Sequence, residues 1–168
     1  RSGRGDGCVA MSASVCPAAT MPAEDTAKPA PRLTLRSQLD DMALLWPWVE
    51  ALVAKYAIPA NTAFDIHLCL EEAISNVIRH GYCGQPNHTL TVDCTSPEAN
   101  HVVFTIEDEA PPFDPLSASL IEDEPAASPA DYLRPGGRGI LLLRKFAGTL
   151  AYERLAGGNR LTIGFVLP

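Results

Sequence analysis

Between residues 63 and 80 the apolar side chains Ile66, Leu70, Ile74 and Val77 recur at intervals of four, four and three. That spacing lays one continuous stripe along a helix and predicts a helix that ends at Gly81. Asn61 or Thr62 is the expected N-terminal cap, accepting a bond from an otherwise unpaired backbone amide. A stripe of this kind must be buried against a second layer, and the rest of the chain supplies one. Leu33, Leu35 and Ser37 alternate with polar neighbours, and residues 89–94 and 101–106 are two further strand-like runs. In the last of these Val103, Phe104 and Ile106 alternate imperfectly, as expected if both faces are partly covered.

A second apolar stripe, Leu45, Trp48, Val49, Leu52 and Tyr56, precedes the first. Pro47 interrupts it, so either a helix begins near Trp46 or a longer one is kinked. Trp46 and Trp48, two apart, cannot both face one core. After residue 106 comes a long connection rich in Pro, Ala and Ser over 110–137, for which a ligand-associated lid is a physical reason. A short apolar helix over 139–146 follows, then two closing strands over 149–155 and 160–167 around a turn at Gly157, Gly158 and Asn159. The order predicts an α/β two-layer sandwich, with a mixed, largely antiparallel sheet covered by helices on one face. It does not fit the repeated strand-helix-strand units of a doubly wound dinucleotide fold.

The 168 residues suffice for one packed domain, and 46% apolar with 20% charged is ordinary for a soluble one. Residues 1–30, rich in Ala, Ser, Pro and Gly, read as a tail or linker, which leaves 31–168 as the folded domain. No apolar run approaches the roughly 20 residues that span a bilayer, so no membrane insertion is expected and the cytoplasm is the default compartment. The five cysteines form no CxxC pair and are expected as reduced thiols. The histidines at 67, 80, 88 and 101, with Cys69, Cys83 and Cys94, fit no compact zinc motif. A net charge of -7 argues against direct nucleic-acid binding through the bulk surface. Charge is nevertheless segregated: residues 107–124 hold seven acids and no Lys or Arg, whereas 133–145 hold Arg134, Arg138, Arg144 and Lys145 and no acid.

Three short segments can carry chemistry. Glu72 and Asn76 stand one turn apart on the periodic helix, off its apolar stripe. A carboxylate there can accept a proton, and a carboxamide oxygen can bind a hard divalent cation beside phosphate. A solvated polar face is the plainer alternative, and Glu71 is a rival carboxylate. In DEAPPFDP, residues 108–115, Asp108 ends a strand where it can accept a bond from the exocyclic amine of a base; an acidic turn is the alternative. In PGGRGILLLRKF, residues 135–146, glycines admit close approach of an anion and a helix start presents free amides. A flexible loop before a helix explains the same residues, and the pattern is not a P-loop.

Taken in order, the three segments resemble the Bergerat-type, histidine-kinase-like nucleotide fold, and most closely its small anti-sigma-factor serine/threonine kinases. EEAISNVIRHGY, residues 71–82, is similar to the family's N-box; DEAPPFDP is similar to its first glycine box and GGRGILLLR, residues 136–144, to its second. The resemblance spans about 31–168 and implies ATP and Mg2+ as cofactors. It implies Glu72 as general base, Asn76 as magnesium ligand and His80 near the phosphates. Asp108 would recognise the adenine amine, with Gly136, Gly137, Arg138 and Gly139 around the phosphates. It further implies an anti-anti-sigma-like protein as phosphate acceptor, a surface able to sequester a sigma factor, and homodimerisation. Two positions depart from the family pattern. A glycine two residues after Asp108 is replaced by Ala110, whose methyl is expected to crowd the purine or restrict the turn, and a Gly-Thr is replaced by Gly158 and Asn159. A noncatalytic, nucleotide-responsive regulator-binding module and a plain ATPase are the alternative functions.

Overall fold

The computed structural model describes residues 31–117 and 138–168. The expected tail over 1–30, most of the expected lid, and Gly136 and Gly137 lie outside the described residues. Strand β1 (Arg32–Arg36) leads through a 3-10 turn (Leu39–Leu44) into helix α1 (Leu45–Tyr56) and helix α2 (Ala60–Asn76). Strands β2 (Thr89–Thr95) and β3 (His101–Asp108) follow, and after the undescribed stretch come helix α3 (Arg138–Phe146) and strands β4 (Thr149–Arg154) and β5 (Asn159–Val166). The sheet order is β1-β2-β3-β5-β4. Every pairing among the described residues is antiparallel, in line with the largely antiparallel sheet expected from the sequence.

Pro47 is the third residue of α1, in the first turn, where its missing amide hydrogen costs little because the carbonyl four residues back, that of Ala43, lies outside the helix. Of the two arrangements open from sequence, the one with proline at the helix start is adopted. Ala57, in the left-handed conformation at φ 51°, closes α1 and returns its amide to the Val53 carbonyl. The next helix begins earlier than its polar residues suggested. Pro59 precedes α2 in an extended conformation, no side chain caps it, and Asn61 and Thr62 lie within the first turn. The fixed φ of proline sets the entry angle, and Ala63 donates to the Pro59 carbonyl at 2.8 Å.

Period-two alternation decides what each strand buries. In β3 it is more regular than expected: Val102, Phe104, Ile106 and Asp108 are buried and the residues between them half-buried. With Leu35, Leu90, Val92, Cys94, Leu161, Ile163 and Phe165 these form the sheet side of the core. Ile66, Leu70 and Ile74 of α2, fully covered, form the helix side with Val49 and Leu52 of α1 and Leu143 of α3. At ~25 cal/mol per Å² of apolar surface, each such side chain contributes about 1.5–3 kcal/mol. The far face of the sheet is polar. Arg32 donates two bonds to Asp93 at 2.8 and 2.6 Å, and Arg160 bridges Glu107 and Glu153 at 2.7 and 3.0 Å. One covered face and one wetted face make the two-layer sandwich expected from the element order. No helix among the described residues is long and apolar enough to cross a membrane.

Of the two tryptophans, Trp48 packs edge-on against Phe104 at 6.0 Å. Trp46 stays 56% exposed and stacks on His67 at 3.8 Å. Cys69, Cys83 and Cys94 are free thiols, and burial pushes those of Cys69 and Cys94 up to about 12.

Candidate nucleotide site

The core-facing row at the end of the sheet runs Leu35, Leu90, Asp108 and Asn159 across four strands. Asp108 thus occupies a core-facing position by the same alternation that buries Ile106, and it is only 8% exposed. Its Oδ1 accepts from the Ala110 amide at 2.8 Å and from Asn159 Nδ2 at 2.7 Å. Nδ2 also reaches the carbonyls of Ala110 and Pro111 at 3.1 and 3.3 Å. On its other side, Asn159 Oδ1 accepts from the Tyr152 hydroxyl at 2.7 Å and from Arg154 Nη1 at 2.9 Å. The same Arg154 nitrogen donates to the Ala110 carbonyl at 2.9 Å. Gly158 completes the approach of β5, since a Cβ there would overlap the Asp108 carbonyl oxygen.

Tyr82 holds the turn after Asp108 from the helix side. Its hydroxyl accepts from the Glu109 amide at 2.8 Å and donates to the Thr89 carbonyl at 3.2 Å. Burial raises its pKa above the ordinary phenol value, keeping the donor protonated. Tyr82 follows a π-helical turn, Val77–Gly81, that extends α2 and brings Gly81 against the turn. A Cβ on Gly81 would come within 2.9 Å of the Ala110 methyl. The methyl expected to crowd a purine is thus 2% exposed and seated on a glycine, although Ala110 still lines the cleft.

The cleft holds about 460 Å³ of space, part of it open to solvent. Asp108, Ala110 and Asn159 line one end; Ala73, Asn76 and Val77 of α2 and Leu143 of α3 form a wall; Pro111, Phe113 and Pro115 form another. Apolar walls with a few convergent polar groups are the usual character of a small-molecule site. Phe113 remains 44% exposed at its edge.

Glu72 and Asn76, both half-buried, meet the start of α3. A Cβ on Gly139 would stand 2.5 Å from Glu72 Oε2 and 3.3 Å from Asn76 Nδ2. Gly139 therefore lets the first turn of α3 approach the carboxylate and carboxamide to within a single methyl's width. Asn76, Asp108 and Ala110 line the cleft, whereas Glu72 and Gly139 are not among its lining residues and are joined to it through Asn76, which Gly139 and Glu72 both adjoin. Arg138 opens α3, and its side chain lies outside the described residues. His80 is exposed on the π-helical turn and is not among the residues lining the cleft. Glu71, the rival to Glu72, is exposed. Arg144 donates to the Leu116 carbonyl at 2.6 Å, binding α3 to the segment after β3.

Tyr82, Tyr152 and Arg154 were not legible as site residues, and Asn159 was read only as a turn residue and as a departure from the family's Gly-Thr. Strand parity carries the missing signal: Asn159 is in phase with Leu161, Ile163 and Phe165, and Tyr152 and Arg154 with Leu150. Polar residues on a core-facing phase demand partners.

The donor set suits a hard cation held chiefly by its ligand. No group of three or more His, Cys, Asp or Glu capable of holding a metal occurs among the described residues. Mg2+ characteristically keeps waters and substrate phosphates and takes only one or two protein oxygens, which Asn76 and Glu72 can supply.

Residues 35–165 match the model of the histidine kinase-like ATPase domain. Over 117 residues the chain is 31% identical to the serine/threonine-protein kinase BtrW of Bordetella bronchiseptica, covering 69% of this chain and 79% of that protein. Among solved structures it is similar to the RsbU and RsbW domains of Rv1364c from Mycobacterium tuberculosis, with a TM-score of 0.58 at 15% identity. That match covers 83% of this chain and 32% of the other, so the chain spans about a third of that structure's length. The histidine kinase domain of the blue-light-activated kinase of Erythrobacter litoralis EL346 aligns with a TM-score of 0.49 at 16% identity, over 75% of this chain and 60% of that one.

Proposed function

The chain belongs to the histidine kinase-like ATPase domain family, and we propose that it is an ATP-dependent serine/threonine protein kinase of an anti-sigma or partner-switch pathway. Its acceptor is an anti-anti-sigma-like protein in the cytoplasm. The observation that carries the reading is the meeting of Glu72 and Asn76 with Gly139 beside a cleft that ends on Asp108. The relative named as a serine/threonine-protein kinase supports it through 31% identity over 117 residues, and the neighbour containing an RsbW domain supports the fold.

Each part has a physical task. Asp108 accepts from the exocyclic amine of the base, while Ala73, Val77, Leu143 and the proline-rich wall exclude water from its rings. The first turn of α3, where the helix dipole favours an anion, faces the phosphates, and Arg138 adds charge there. Asn76 would hold magnesium, which when bound would supply charge neutralisation at the phosphates. Glu72 takes the proton from the acceptor hydroxyl as its oxygen bonds to the terminal phosphorus and the bond to the departing ADP breaks. Phosphoryl transfer of this kind depends mainly on orientation and charge, which suits a site with one carboxylate base.

Incubation with ATP, magnesium and a panel of anti-anti-sigma-like proteins, followed by mass spectrometry, should reveal one added phosphate on a Ser or Thr. Glu72→Gln should lower the rate by about 10²–10⁴ while ATP still binds. ATP binding without transfer to any acceptor would displace this reading in favour of a nucleotide-responsive binding module, and transfer undiminished in Glu72→Gln would remove Glu72 as base.

A further inference from the structure

Asp108 is the only carboxylate lining the cleft among the described residues, and its two oxygens are not equivalent. Oδ1 accepts from both Asn159 Nδ2 and the Ala110 amide, at 2.7 and 2.8 Å, which occupies its two lone pairs. Among the described residues no donor reaches Oδ2. Asn159 cannot turn to relieve this arrangement, because Tyr152 and Arg154 both donate to its Oδ1. With the carbonyl end of the amide fixed towards two donors, its nitrogen end must face the carboxylate. Reversing the amide would set its oxygen against Asp108 Oδ1 and its N–H groups against the Arg154 guanidinium, which can only donate, a mismatch on both sides. Arg154 Nη1 also holds the Ala110 carbonyl, so the turn and the amide are fixed by one cation on the edge strand β4.

We propose that Tyr152, Arg154 and Asn159 are specificity-determining positioning residues: by saturating Asp108 Oδ1 they leave one acceptor oxygen, which selects a 6-aminopurine over guanine. The inference rests on the nucleotide reading of the cleft. A 6-aminopurine offers a single exocyclic amine to a carboxylate, which Oδ2 alone satisfies. Guanine instead pairs its ring N–H and its 2-amino group with both oxygens of a carboxylate. Here one of those donors would find Oδ1 already filled and would stay buried without a partner, weakening binding by about 10-fold to 100-fold. Selection then depends on residues of β4 and β5 as much as on the carboxylate itself.

The test measures dissociation constants of ADP and GDP on the full chain by calorimetry, alongside thermal melting. The wild-type chain should prefer ADP by at least about 10-fold. Asn159→Ala frees one of the two lone pairs of Oδ1, the Ala110 amide keeping the other, and should reduce that ratio several-fold. Tyr152→Phe combined with Arg154→Met, on the sheet edge, releases the amide without touching Asp108 and should shift the ratio in the same direction. Arg154→Lys restores one nitrogen with several N–H groups and should keep the wild-type ratio. A merely structural role would weaken both nucleotides alike. ADP binding with an unchanged ratio in both altered chains overturns the inference and leaves the nucleotide reading intact. Binding of neither nucleotide by the wild-type chain overturns both.

Discussion

Replacing Gly139 with alanine sets helix stability against the position of a carboxylate. Alanine is favoured over glycine by up to about 1 kcal/mol within a helix, so on propensity alone α3 gains. The new methyl would lie 2.5 Å from Glu72 Oε2, whereas an ordinary contact begins at 3.4 Å. Restoring that contact moves the carboxylate by about 0.9 Å, the difference between the two distances. Because Oε2 is the far end of a flexible side chain, the move costs little in folding. Misplacement of a reacting group by about 1 Å nevertheless costs on the order of 10² in rate, equivalent to about 2.7 kcal/mol in the barrier. Gly139→Ala should therefore melt at or above the wild-type temperature while transferring phosphate about 100-fold more slowly at saturating ATP. The cycle with Glu72→Gln isolates the cause: once the carboxylate is gone, adding Gly139→Ala should slow the residual reaction little further. A wild-type rate in Gly139→Ala, or an equal loss in the Glu72→Gln background, would refute the account.

Two further outcomes concern the supports of the site. Gly81→Ala brings a methyl within 2.9 Å of the Ala110 methyl and should destabilise the fold by about 1–3 kcal/mol. Combining it with Ala110→Gly should recover most of that loss in denaturant unfolding, and additive losses would show that the two positions do not share the space. His67 is 4% exposed with neither ring nitrogen bonded, and burial lowers its pKa below the ordinary 6.5 against the opposing pull of Glu71 and Glu50. Between the lowered value and 6.5 the unfolded chain binds more protons, so His67's contribution is complete above pH 6.5 and is lost as the pH falls through that window. Melting temperature followed across pH should show this slope, and His67→Leu should flatten it; identical slopes would remove His67 as the cause.

The helix bearing Glu72 and Asn76 was legible because its evidence is local: three intervals of apolar residues fix which side faces outward. Asp108 was legible as a strand-ending acid and Gly139 as a glycine opening a helix. The braces around them were hidden for one reason. Tyr82 meets Glu109 across 27 residues, Arg154 meets Ala110 across 44, and Asn159 meets Asp108 across 51, so only tertiary packing, helix on sheet for Tyr82 and strand register for the other two, brings them together. The seat of the Ala110 methyl was hidden similarly, because the space for it is made by Gly81 on another element. Helix entry was misjudged where proline, rather than a hydroxyl or amide side chain, fixes the start.

The pairing of Asp108 with Asn159 also orders events in time. The chain leaves β3 at one of these residues and returns at the other, with α3 and β4 formed in between. Closing an excursion of that length costs entropy that grows only as about (3/2)RT ln n, so its contents can lengthen at little expense. Neither the acid nor its amide partner is set, however, until β5 docks. During synthesis, helices, strands and apolar walls can accumulate while the cleft still lacks its floor. Capture of a ligand by this domain therefore reports that β5 is in place, and an arrested or truncated chain declares itself by failing to bind.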